Sequence, residues 1–205
     1  MTALPDSYRS LERGSEVEIK VKASRFIGQA FGVTTEDEAR AHLGEVRKRY
    51  HDARHHCSAW TIGPPGSTAE RCDDDGEPSG TAGQPILEAV RRDGVHQACV
   101  VVTRWFGGTK LGKGGLIRAY DEAARLALDA APHVTVWCDV RRTARCDYVD
   151  VGAVEAILAR FTDVVVAVER AFESDPTFVI TMRRSSEGAV CSALIEGTSG
   201  RVQME

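Results

Sequence analysis

Ala98-Cys-Val-Val-Val-Thr-Arg-Trp-Phe-Gly-Gly-Thr-Lys-Leu-Gly-Lys-Gly-Gly-Leu-Ile-Arg-Ala-Tyr120 changes texture twice. Residues 98–104 are a valine-rich run, the pattern of a strand covered on both faces. Residues 105–115 break regular structure with glycine. Leu116, Ala119, Ala123, Ala127 and Ala130 then mark one face of a long helix that stops before Pro132. A strand, a glycine loop and a helix in that order set backbone amides and a helix dipole where a phosphate can sit, and Gly107-Gly-Thr-Lys-Leu-Gly-Lys113 fits G-x-x-x-x-G-K. Gly114 stands where that motif needs Ser or Thr to hold magnesium, which argues against ordinary nucleotide hydrolysis. Arg104, Lys110, Lys113 and Arg118 surround the loop, and no acidic residue occurs from Val95 to Tyr120. The helix start adds roughly half a positive charge. Gly107, Gly108, Gly112 and their cationic neighbours read either as an anion or phosphate contact or as a structural turn.

Upstream lies a segment of opposite sign, Glu70-Arg-Cys-Asp-Asp-Asp-Gly-Glu77, followed by Pro78-Ser-Gly-Thr81. Asp74, Asp75 and Glu77 offer hard oxygens that suit magnesium or calcium, and Ser79 or Thr81 could complete a shell, although the spacing is not that of an EF-hand. A solvated turn with Asp75-Gly76 at its tip fits the same residues. A third reading packs the acidic and basic loops together around a shared site. Eleven of the nineteen glycines fall between Gly63 and Gly115, so both segments belong to one glycine cluster.

Further outward the periodicities are plain. Val17, Ile19 and Val21 alternate with charged residues as a half-wet strand does, and residues 25–33 suit a second strand. Thr35 and Glu38 form a capping box ahead of Ala39, Leu43, Val46 and Tyr50, so residues 36–51 read as an amphipathic helix with Arg40, Arg47, Lys48 and Arg49 outside. Residues 55–62 suit a short strand, and Pro85 suits the first turn of a helix ending near Gly94. A strand from Val134 to Cys138, continuing toward Cys146, opens a second region. There residues 153–161, 164–169, 178–182, 186–195 and 200–204 read as helix, strand, strand, helix and strand, the split βαβ order. The expected domains are residues 1–137 and 138–205.

His51, His55, His56 and Cys57 are the densest group of metal-type ligands, yet no second pair has zinc spacing, and a polar strand entry explains them equally. A Cys57 nucleophile with a neighbouring histidine as base is disfavoured because adjacent side chains on a strand point to opposite faces. No metal and no cofactor is expected. Six separated cysteines without a C-x-x-C pair signal neither disulfides nor a zinc ribbon. The longest aliphatic run, Val164-Val-Val-Ala-Val168, is far short of the roughly 18 residues of a membrane helix, so no membrane partner and a cytoplasmic location are expected. A net charge of −4 excludes an overall basic coat for nucleic acid but leaves a local patch open.

Ser24-Arg-Phe-Ile-Gly28, His55-His-Cys57, Asp74-Asp-Gly-Glu-Pro-Ser-Gly-Thr-Ala-Gly-Gln-Pro-Ile-Leu87 and the run Val101 to Tyr120 together closely resemble the IMPACT/YigZ family. The resemblance covers about residues 15–130. It implies an α+β fold: an N-terminal left-handed βαβ domain like that of a small-subunit ribosomal protein, and a C-terminal ferredoxin-like domain similar to the last domain of elongation factor G. Eukaryotic members look like translation regulators, and for bacterial members the resemblance implies nucleic-acid or ribosome association by fold-level analogy. It supplies no catalytic residue. One departure is His56, where members often have Asn.

Three function classes follow. A non-enzymatic, translation-associated regulator would meet RNA, the ribosome or a translation-factor-type protein partner through Arg104, Lys110, Lys113 and Arg118. A nucleotide- or phosphate-metabolite-binding protein, or a small-molecule kinase-like enzyme, would hold metal on Asp74, Asp75 or Glu77 and phosphate on the lysines. A protein-docking module would use the basic helix face.

Overall fold

A computed structural model describes residues 5–205 as a mixed α+β chain in two compact units, Tyr8–Val136 and Trp137–Glu205, with residues 5–7 grouped into the second. The elements of the first stretch are β1 (Ser7–Leu11), β2 (Val17–Val21), β3 (Ser24–Gly32), α1 (Glu36–Arg49), β4 (His55–Ile62), β5 (Ala69–Asp73), α2 (Gly83–Asp93), β6 (Ala98–Trp105), α3 (Lys113–Ala130) and β7 (His133–Trp137). β1 and β7 form a two-stranded sheet, and the other strands form a five-stranded sheet in the order β2-β3-β6-β4-β5.

Every neighbouring pair in the larger sheet is antiparallel. β3 and β4 therefore run parallel to each other on either side of β6, and α1 makes the crossover between them. The central strand β6 is covered on both faces, as its unbroken apolar run requires. Ala98, Val100 and Val102 face the core that holds α2 and α3, while Cys99 and Val101 face Leu43 and Val46 of α1. On α3, Leu116, Ala119, Ala123 and Ala127 are buried as the period demands, and Tyr120, Ala124 and Leu128 widen the stripe. Ala130 is exposed instead, because the buried stripe passes from Ala127 and Leu128 to Ala131 and leaves Ala130 off that face.

The α1 cap departs from the expected box in one detail. Thr35 accepts from the Glu38 N–H at 3.2 Å, but the Glu38 carboxylate takes the Thr34 N–H at 2.6 Å, one residue before the cap. Strands β1 and β5 carry no periodicity that announces them. β5 is an exposed edge, Ala-Glu-Arg-Cys-Asp, placed by antiparallel pairing of residues 69–73 with 58–62 and tied to α2 through Glu70 and Arg91. Half of the segment read as an acidic loop is thus a strand.

The second unit contains β8 (Asp139–Arg145), α4 (Val151–Leu158), β9 (Val165–Phe172), β10 (Pro176–Arg183), α5 (Glu187–Gly197) and β11 (Gln203–Met204). Its sheet order, β11-β8-β10-β9, with antiparallel neighbours, is that of a split βαβ unit. Phe178, Ile180 and Met182 of β10 alternate into a core closed by Val154, Val190 and Leu194. The strand expected to run through Cys138 breaks there, because the Cys138 N–H is given to the Asp6 carbonyl at 2.6 Å. Among the described residues no helix is long and apolar enough to cross a membrane.

Candidate anion-binding cleft

The cleft forms inside the first unit, where β6 runs out into the glycine loop and β4 begins. Pairing of β4 with β6 sets His55 opposite Arg104. The loop after β5 folds over the same end of the sheet and brings Gly76, Glu77 and Pro78 to face Lys110, Leu111, Gly112 and Lys113. Arg54, His55, Arg104, Phe106 and Leu116 complete the walls of a cavity of about 480 Å³. The acidic and basic loops thus converge on one cleft.

Two glycines make the basic side possible. A Cβ on Gly107 would lie 1.8 Å from the Ala23 carbonyl oxygen, so only glycine lets the loop pass that backbone. Gly112, at φ 73° and ψ 164°, occupies a region closed to other residues and turns the chain into α3. No side chain caps α3, and its first turn has no acidic residue. The amides of that turn and the positive end of the helix dipole are therefore open to an acceptor. Lys110, Lys113 and Arg54 are exposed on the rim, and Arg118 lies one turn along α3, folded back toward Gly114 and outside the cavity wall. Among the described residues no carboxylate lies within 4.0 Å of any of these four cations, whereas Arg47, Arg49, Arg91 and Arg92 are all ion-paired.

Arg104 behaves differently from the other proposed phosphate contacts. It is buried, and its Nη1 lies 2.5 Å from Glu77 Oε1, which also accepts from the Tyr120 hydroxyl at 2.8 Å. Its charge is thus balanced within the protein. Its Nη2 reaches Ser24 Oγ at 3.3 Å, and its guanidinium lies 5.4 Å from the Phe26 ring centre and 5.6 Å from that of Phe106. Burial, the largest cause, and the neighbouring Cys57 and Glu77 push the Tyr120 phenol far above its ordinary range, which keeps it a donor.

The other carboxylates of the acidic segment disperse. Asp74 accepts from the N–H groups of Gly80, Ala82 and Gly83 at 2.8 to 2.9 Å, so it supplies the cap that Ala82 cannot provide for α2. Asp75 takes Arg47 on one oxygen and the His56 N–H on the other, both at 2.7 Å. Thr81 donates to the Pro78 carbonyl at 2.6 Å, and Ser79 is exposed in the same turn. Among the described residues no three His, Cys, Asp or Glu side chains are arranged to hold a metal.

The histidines separate in the same way. His55 Nδ1 donates to the Asp75 carbonyl at 2.8 Å, which leaves Nε2 toward the cleft, 3.9 Å from Glu77 Oε1. His56 points away and donates from Nε2 to the Tyr50 carbonyl at 3.1 Å, and burial lowers its pKa. His51 is exposed. The Cys57 thiol donates to the Asp74 carbonyl at 3.0 Å, and burial pushes it far above its ordinary value, so it is no nucleophile. Arg54, Pro78, Phe106, Leu111 and Leu116 line the cleft without having been singled out as site residues, and His55, considered as a metal-type ligand, stands in its wall instead. Phe106 carried a signal, an aromatic side chain inside a glycine loop.

The family model described as the Impact N-terminal domain matches residues 22–128. The chain is 44% identical over 123 residues to the IMPACT family member YvyE of Bacillus subtilis, covering 60% of this chain and 56% of that protein. It is 37% identical over 142 residues to the IMPACT family member YigZ of Escherichia coli, covering 69% of this chain and 70% of that protein. A crystal structure described as that of a hypothetical protein superposes with a TM-score of 0.69 at 30% identity, covering 98% of this chain and 97% of that one.

Proposed function

Given that the chain belongs to the IMPACT family, we propose that it is a translation-linked regulatory protein that works by binding, and that the cleft is where it meets RNA phosphate, free or on the ribosome. The translation-linked part of this reading comes from the family resemblance. The RNA part rests on one observation: Arg54, Lys110 and Lys113 gather around the uncapped start of α3 with no carboxylate within 4.0 Å among the described residues. In a chain of net charge −4 that is a local cationic patch with amide donors at its centre, which is what a phosphate requires. Of the carboxylates nearby, Glu77 and Asp75 are paired with Arg104 and Arg47, and Asp74 is held by N–H groups at the start of α2.

Fluorescence anisotropy with a single-stranded RNA, across about 50 to 200 mM salt, tests this reading. Three phosphate contacts give a slope of log affinity against log salt of about −2 on a single strand, and Lys110→Ala/Lys113→Ala flattens it by about 0.7 per lysine. Binding and slope both unchanged in that variant would remove the cleft from the reading.

A further inference from the structure

Resting on the reading of the cleft as an anion site, we propose that its ligand is a phosphomonoester beside a flat ring: a nucleoside 5′-monophosphate, free or at the 5′ end of an RNA chain. Charge is the first argument. The Glu77–Arg104 pair cancels, so the rim keeps three uncompensated cations beside the amides of α3, a better match for a dianionic terminal phosphate than for one diester. Unmatched donors are the second. Arg104 is 5% exposed, lines the cavity, and has no partner for its Nε–H. A buried donor left unpaired costs free energy, and because that nitrogen is closed to solvent the cleft wall must shift for a ligand oxygen to recover it. His55 gives its Nδ1–H to the Asp75 carbonyl, so its Nε2 offers the wall an acceptor for a hydroxyl or amino group of the ligand.

Shape supplies the third argument. A phosphate ion alone uses none of the apolar wall, whereas a base laid against Phe106, 43% exposed, with Leu111 and Pro78 beside it, buries that surface. The volume, about 480 Å³, falls in the range of sites for a single small molecule.

The test is calorimetric titration of the full chain with adenosine 5′-monophosphate, adenosine and inorganic phosphate, in parallel with one short RNA carrying either a 5′-phosphate or a 5′-hydroxyl. The monophosphate is expected to bind about tenfold or more tighter than adenosine or phosphate, and Phe106→Ala to remove most of that advantage while phosphate binding stays the same. A gain for the 5′-phosphorylated RNA identifies the chain end as the source; a gain for the free monophosphate alone identifies the nucleotide. Monophosphate binding no tighter than phosphate, or unaffected by Phe106→Ala, overturns the proposal. If hydroxyl-ended RNA binds with steep salt dependence while the monophosphate does not, the terminal-phosphate assignment fails and the RNA reading stands. If no probe binds, both fail.

Discussion

The two loops that meet at the cleft are built on opposite plans. In the acidic loop every carboxylate already has a partner: Asp74 caps α2, Asp75 joins α1 to the start of β4, and Glu77 neutralises Arg104. In the glycine loop Lys110 and Lys113 have no carboxylate within 4.0 Å among the described residues, and the helix behind them has no cap. One loop uses its charges for folding, and the other leaves Lys110 and Lys113 without a carboxylate partner among the described residues. Sequence charge alone assigns both loops the same standing, and only the partner of each group separates them.

That contrast can be broken most directly at Glu77. Glu77→Gln leaves Arg104 buried without a counter-charge, so stability is expected to fall by about 3 kcal/mol in urea unfolding. A loss under about 0.5 kcal/mol, the size of an ordinary surface change, would show that the pair is not structural. Asp74→Ala removes the acceptor of three N–H groups at the start of α2, and a loss of about 2 kcal/mol is expected in the same measurement.

Stability against pH separates His56 from both. Burial lowers its pKa in the folded state, so the unfolded chain takes up the proton first as pH falls. The associated stability is complete above the ordinary value of 6.5 and is lost as pH drops through 6.5 and the folded value below it. His56→Asn should flatten that decline, with His96, also lowered by burial, leaving a residual slope. Smallest of all on stability is Lys110→Ala/Lys113→Ala, expected within about 0.5 kcal/mol of the parent, because neither lysine has an ion-pair partner among the described residues. A marked destabilisation there would return the glycine loop to the structural class.

Much of the fold was legible. The β6 run, the α3 stripe up to Ala127 and the split βαβ order of the second unit come from periodicity, which is local and strong where one face is buried. Strand β5 was illegible because an exposed edge strand needs no apolar alternation and is fixed by its partner's register. Site residues split along the same line. Gly107, Gly112, Lys110 and Lys113 stand out because glycine and charge spacing lie along the chain. Arg54 does not, and His55 stands out only as a metal-type ligand, since their place in the cleft depends on pairing with a strand some fifty residues away.

The amino-acid sequence by itself determined where the chain turns, which faces of its helices and strands are apolar, and that a cationic glycine loop precedes a long helix. The tertiary structure alone decided which charges are free. An ion pair such as Glu77 with Arg104 is set by distance and burial, and a separation of 27 positions along the chain carries no record of either until the sheet brings β6 against the loop that follows β5.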